Sequence, residues 1–164
     1  MEVVDVAKLK ADWSGIEFDS VDVEAKGDSM LAFAKAVGEQ DPRFCDPTHA
    51  DYQAPVTFTA KYVGKRMFPK GFPKIGSGMG FDAGKCVEVH APIRPGDHLT
   101  AKSQIHDIYE KSGRSGPMVF IVHRMEFYNQ KEQLVSIVDW RLVMQPEKTI
   151  QMDVKGVGEG KGSQ

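Results

Sequence analysis

The chain predicts an α+β domain in which a curved antiparallel sheet wraps one helix. Three observations carry this. Met30, Phe33, Ala34 and Val37 recur at helical spacing and stop at Gly38. From Val87 onward the pattern changes to the alternation of half-buried strands. Between those strands stand tight-turn residues, above all Arg94-Pro95-Gly96-Asp97.

In chain order, Asp28 is placed to cap the helix that Gly38 ends. Asp46-Pro47 predicts a second, very short helical turn, because proline suits the first helical position. Pro55 opens a further segment through Val63, closed by Gly64, with Phe58 and Tyr62 on one face. Over 69–84, two prolines and Gly71, Gly76, Gly78, Gly80 and Gly84 predict a long, ordered surface loop.

Val87 and Val89 then alternate with Glu88 and His90, as in a strand with one buried face. In the following turn Pro95 stands second and Gly96 third, where a type II turn needs positive φ. Strands at 98–109, 117–128 and 134–145 make an antiparallel meander. In the last of them Leu134, Val138, Trp140, Leu142 and Met144 share a face, with Ser136 the exception. Val135, Ile137 and Val143 lie opposite, beside Asp139 and Arg141. Both faces therefore bury something, which predicts an oligomer. The domain is read as 1–148, and the polar, glycine-rich tail 149–164 as disordered.

With 164 residues, 41% of them hydrophobic, the chain has the length for one core. A net charge of −2 gives no general attraction to nucleic acid or to an anionic membrane. The acidic start, Met1-Glu2-Val3-Val4-Asp5, lacks the basic and apolar regions of a signal peptide, and no apolar run approaches bilayer length. A cytoplasmic protein is expected. Cys45 and Cys86 are read as buried, reduced thiols. His49, His90, His98, His106 and His123 show no metal-binding spacing, so no metal is expected; no cofactor is expected either.

Between Asp51 and Asp82 there is no acidic residue, while Lys61, Lys65, Arg66, Lys70 and Lys74 are interleaved with Tyr62, Phe68 and Phe72. This is a local basic patch or a solvated loop. Gly76-Ser77-Gly78-Met79-Gly80 is neither a dinucleotide fingerprint nor a P-loop, since Gly84-Lys85 is followed by Cys86 where Ser or Thr is needed. No Gly-x-Ser-x-Gly elbow occurs. Glu39 and Asp41 are two carboxylates in one loop: an acid/base pair, or a solvated residue and a turn cap before Pro42.

Residues 33–44, Phe-Ala-Lys-Ala-Val-Gly-Glu-Gln-Asp-Pro-Arg-Phe, resemble the signature of the MaoC-like dehydratases, in the branch of FAS1-like dehydratase domains. Ala54-Pro55-Val56-Thr57-Phe58, Ala91-Pro92-Ile93-Arg94-Pro95-Gly96-Asp97 and Gly113-Arg114-Ser115-Gly116-Pro117 follow in the branch's order, so that the likeness covers roughly 16–145. The resemblance implies a hot-dog fold and hydration or dehydration of acyl thioesters. In active members an Asp-x-Asn-Pro-x-His loop supplies the Asp and His that add or remove water. Here Glu39 stands at the Asp, Asp41 at the Asn, Pro42 at the Pro and Phe44 at the His. Phenylalanine has no titratable proton, so the pair is broken.

The resemblance thus implies a non-catalytic subunit of an enoyl-CoA hydratase or (3R)-hydroxyacyl-thioester dehydratase, paired with a catalytic MaoC-like hot dog or self-associated. Phe44, Pro55, Phe58 and Tyr62 are candidates to line an acyl channel, or else core residues. Ser77 and Gly78 are candidates beside the thioester carbonyl. The basic residues at 61–74 would face coenzyme A, present only as part of the substrate, or an acyl carrier protein. Two alternatives stay open: a self-sufficient hydratase using Glu39 with a relocated histidine, His49, and an acyl-CoA binding module without turnover.

Overall fold

The computed structural model describes residues 4–76, 80–113 and 116–145. Ser77, Gly78, Arg114, Ser115 and the tail 149–164 lie outside the described residues. The chain runs α1 (Val6–Trp13), β1 (Glu17–Glu24), α2 (Gly27–Val37), α3 (Pro42–Cys45), a 3-10 turn (Phe58–Lys61), β2 (Gly80–Val89), β3 (His98–Gly113), β4 (Gly116–Tyr128) and β5 (Leu134–Met144). The five strands form one antiparallel sheet in the order β1-β3-β4-β5-β2. The fold is the α+β hot dog.

Alternation along β4 turns Val119, Ile121, His123, Met125 and Phe127 toward the helical side. Two apolar clusters cover that face. At one end Met30 of α2 packs with Phe58, Leu99, Ala101, Met125, Phe127 and Val138. At the other, Leu9 of α1 packs with Ile75, Ile105, Ile108, Val119 and Ile121. The opposite face of the sheet carries an ion pair in which Arg124 Nε and Nη2 donate to Asp139 at 2.7 and 2.8 Å.

α2 presents Met30 and Ala34 to the sheet and closes at Gly38, whose φ of +71° is the left-handed conformation glycine adopts without a Cβ penalty. Gly96, at φ +86°, makes the expected turn, with the Asp97 amide donating to the Arg94 carbonyl at 3.1 Å. The three long strands of the meander fall where their alternation places them.

Several local expectations are corrected. Asp28 is not the cap of α2: the helix begins at Gly27 after Lys26, with no side-chain cap, and Asp28 lies in its first turn. Val37 is exposed rather than core. The short helix starts at Pro42, not Pro47, because Asp41 caps it; Asp46 instead accepts from the Thr48 amide and hydroxyl. The segment after Pro55 is helical only over Phe58–Lys61.

Residues 80–84 belong to β2 and not to a loop, held by pairing with β5 across an irregularity between Asp82 and Lys85. As an outer strand β2 leaves Val89 exposed and Val87 only half-buried. Cys45 and Cys86 are free thiols but not buried ones: Cys45 is half-buried and Cys86 exposed. α1 and β1 were not anticipated. Lys10 Nζ bonds the Asp107 carboxylate at 2.8 Å, and the Gly15 amide donates to the Ile105 carbonyl, which together seat α1 on β3.

Candidate functional site

The motif loop leaves α2 at Gly38 and is organised by its own carboxylates. Glu39 Oε1 accepts from the amides of Gln40 and Asp41 at 2.9 and 3.0 Å. Asp41 accepts from the Arg43 amide at 3.0 Å, as an N-cap with proline at the first helical position should. It also receives Arg43 Nη2 at 2.6 Å, and the hydrogen bond from that guanidinium holds its carboxyl below the usual carboxylate range. Both acids are thus occupied in local capping.

His49 Nδ1 accepts from the Asp51 amide at 3.0 Å. Among the described residues, no hydrogen bond joins His49 to Glu39. The loop is then tied to the turn after β2. Ala54 donates to the Ile93 carbonyl at 2.9 Å, and Arg94 reaches both the Tyr52 carbonyl, at 3.0 Å, and the Asp51 carboxylate. That hydrogen bond from Arg94 holds the Asp51 carboxyl low as well.

These ties border a cavity of about 50 Å³ that is partly open to solvent. Phe44 and Pro55 line it, with Val56, Val89 of β2, Ala91 and Ile93 completing its apolar wall. Its polar lining includes Gln53 and two residues that sequence reasoning missed, Thr59 and Ser136. Their hydroxyls bond each other at 2.8 Å, and both residues are buried. No local signal marks them, because β5 and the 3-10 turn meet only through the fold.

Glu39 and His49 do not line this cavity. Neither do Phe58 and Tyr62, which lie in and against the core under α2 with ring centroids 5.8 Å apart. A larger cleft of about 440 Å³ opens between α1 and residues 71–75, beside Leu9, Trp13 and Ile75, and contains no motif residue.

The basic residues are spread along the covering loop. Lys61 Nζ donates to the Ser29 hydroxyl of α2 and sits 4.1 Å from the Phe58 ring centroid, and burial lowers its pKa. Lys65 Nζ donates to the Ser20 carbonyl at 3.1 Å, while the Arg66 amide donates to Asp19. Lys70 is exposed and Lys74 borders the larger cleft.

The sequence of residues 12–138 matches the family model described as the FAS1-like dehydratase domain region. The chain belongs to that family, among the MaoC-like dehydratases. No curated protein matches it. Among solved structures, it is similar to the C-terminally truncated HadBC complex, a (3R)-hydroxyacyl-ACP dehydratase from Mycobacterium tuberculosis, at 25% identity and TM-score 0.61, covering 82% of this chain and 99% of that one. The MaoC-like dehydratase from Rhodospirillum rubrum aligns at 19% identity and TM-score 0.57, over 82% of this chain and 94% of that one. The ChsH1-ChsH2 complex from Mycobacterium tuberculosis aligns at 15% identity and TM-score 0.60, over 86% and 94%.

Proposed function

We propose that this chain is the non-catalytic subunit of a hetero-oligomeric enoyl-thioester hydratase or (3R)-hydroxyacyl-thioester dehydratase, and that its cavity forms part of the acyl-thioester channel. The observation that carries the reading is Phe44. At the position where active relatives carry histidine, an aromatic ring lines an apolar cavity instead. Hydration of an enoyl thioester needs one group to activate water and another to protonate carbon. Glu39 and Asp41, the other motif positions, are engaged in capping backbone amides.

An apolar wall with a few placed polar groups suits the binding of an acyl group. The position of β2 supports a hot-dog partner. It is an outer strand of the sheet, it exposes Phe81 and Val89, and Val89 also lines the cavity. A partner packed along that strand would extend the cavity wall, and HadBC and ChsH1-ChsH2 are themselves complexes.

The test is affinity capture of the tagged chain from its native lysate, with a hydratase assay on the eluate and on the purified chain. The expected result is a stoichiometric partner that carries an intact Asp-x-Asn-Pro-x-His, with turnover only in the complex. Turnover by the purified chain, lost in Glu39→Gln, would instead establish a self-sufficient hydratase. Tight acyl-CoA binding with neither partner nor turnover would establish a binding module.

A further inference from the structure

The floor of the Phe44 cavity poses a question of proton count. Thr59 is 1% and Ser136 0% exposed, and both line the cavity. Each hydroxyl is one donor and two acceptor lone pairs. Their mutual 2.8 Å bond consumes one of the two protons, whichever oxygen donates. Among the described residues, the second proton has no other side-chain or backbone acceptor. Buried hydroxyl protons are costly to leave unpaired, whereas an apolar pair of the same shape would fill the space with nothing to satisfy.

We propose that the Thr59–Ser136 hydroxyl pair is a specificity-determining donor for an acceptor oxygen of the bound thioester, either the thioester carbonyl or an oxygen borne along the acyl group. The inference rests on the reading of the cavity as part of an acyl-thioester channel. The volume of about 50 Å³ admits a few heavy atoms, the size of a carbonyl with its neighbours and not a whole acyl chain. Of the remaining wall, Phe44, Pro55, Val56, Val89 and Ile93 offer such a fragment apolar contact, and Gln53 spends its side-chain N–H donors on the Asp51 carbonyl and carboxylate. One donor in an apolar wall discriminates well. A fragment with an oxygen there gains a bond, and one without it leaves the hydroxyl unpaired.

Because the pair shares protons, the two hydroxyls back each other up. Thr59→Val leaves Ser136 its own proton for the ligand, and Ser136→Ala leaves Thr59 its own. Only the double substitution removes the donor.

The test measures calorimetric affinity of the full chain, in the assembly in which it is isolated, for three probes. They are a straight-chain acyl-CoA, the S-alkyl-CoA of equal length without the carbonyl, and that S-alkyl-CoA with one ketone along the chain. The Thr59→Val/Ser136→Ala double variant is expected to lose about three- to tenfold affinity for an oxygen-bearing probe and to leave the plain S-alkyl-CoA unchanged. Loss on the acyl-CoA alone assigns the donor to the thioester carbonyl, and loss on the ketone probe alone assigns it to the acyl group. The single variants and Thr59→Ser should stay close to wild type, which separates loss of the donor from damage to the fold. Equal change on all three probes, or none, overturns the inference while the channel reading stands. If the unsubstituted protein binds none of the probes, the channel reading itself fails and this inference falls with it.

Discussion

The Arg43 guanidinium closes on the Asp41 carboxylate, Nη2 to Oδ2 at 2.6 Å, while the same carboxylate caps the Arg43 amide at 3.0 Å. One acid therefore begins α3 and holds a cation beside the ring of Phe44, whose centroid lies 5.3 Å from the Arg43 guanidinium carbon. The loop that resembles the family's Asp-x-Asn-Pro-x-His signature is here a capped and ion-paired turn.

Asp41→Asn should be milder than Asp41→Ala, because asparagine caps about as well as aspartate and alanine does not. The Asp41 carboxyl is held low by Arg43, so its contribution is present above the unfolded value of about 4 and is lost as pH falls through the lower folded value. The melting-temperature deficit of Asp41→Asn should accordingly be constant between pH 5 and 8. A deficit that changes across that range would show that Asp41 titrates there.

His123 predicts an acid-sensitive core. It is 2% exposed, neither ring nitrogen has a hydrogen-bond partner among the described residues, and Phe18 and Trp140 lie against it at centroid distances of 5.4 and 6.3 Å. Burial lowers its pKa to about 4, opposed by the nearby Asp19 carboxylate and reinforced by Lys85. The unfolded chain, with an ordinary value near 6.5, binds the proton first as pH falls. Stability is intact above that value and declines through the window down to about 4, at a slope approaching about 1.4 kcal/mol per pH unit. Urea titrations at pH 7, 6 and 5 should show this loss in the wild type, and His123→Phe should remove most of it.

Phe58→Ala should cost about 3–5 kcal/mol in urea unfolding, the range for deleting a buried aromatic ring. The residue is 1% exposed and meets Phe33 and Tyr62 edge to face at 5.7 and 5.8 Å. A cost under about 1 kcal/mol would mean that the ring borders a space able to collapse or to hold ligand, returning it to the channel wall.

How much of this was legible follows from which contacts are local. Gly38 and Gly96 announce themselves, since a positive φ after a helical stripe or inside a Pro-Gly turn is a property of a few neighbouring residues. The β3–β5 meander is legible for the same reason, as its strands are long and joined in sequence. β1 was not: Val21 and Val23 alternate with acids, but the strand exists because Asp19 to Glu24 pair with β3 about eighty residues on. Gly80 to Gly84 read as loop by composition, and only pairing with β5 makes them strand. The motif residues 39–44 were visible because the loop is continuous in sequence, and the structure keeps them together in one capped turn. Thr59, Val89 and Ser136 were invisible as a site, since three separate elements bring them to Phe44.

Phe44 offers the sharpest separation of binding from chemistry. The ring is half-buried and lines the cavity, so Phe44→Ala removes wall area without opening the core. In the assembly proposed above the substitution should raise KM about three- to tenfold for the acyl thioester that fits the wild-type cavity and leave kcat within about twofold. Such a pattern marks contacts made equally in the ground and transition states, as expected of a wall. Bulkier acyl groups should lose less, because the vacated space admits them. A fall in kcat of about a hundredfold with KM unchanged would place the ring where transition-state geometry is set, and the reading of Phe44 as a passive wall would have to be abandoned.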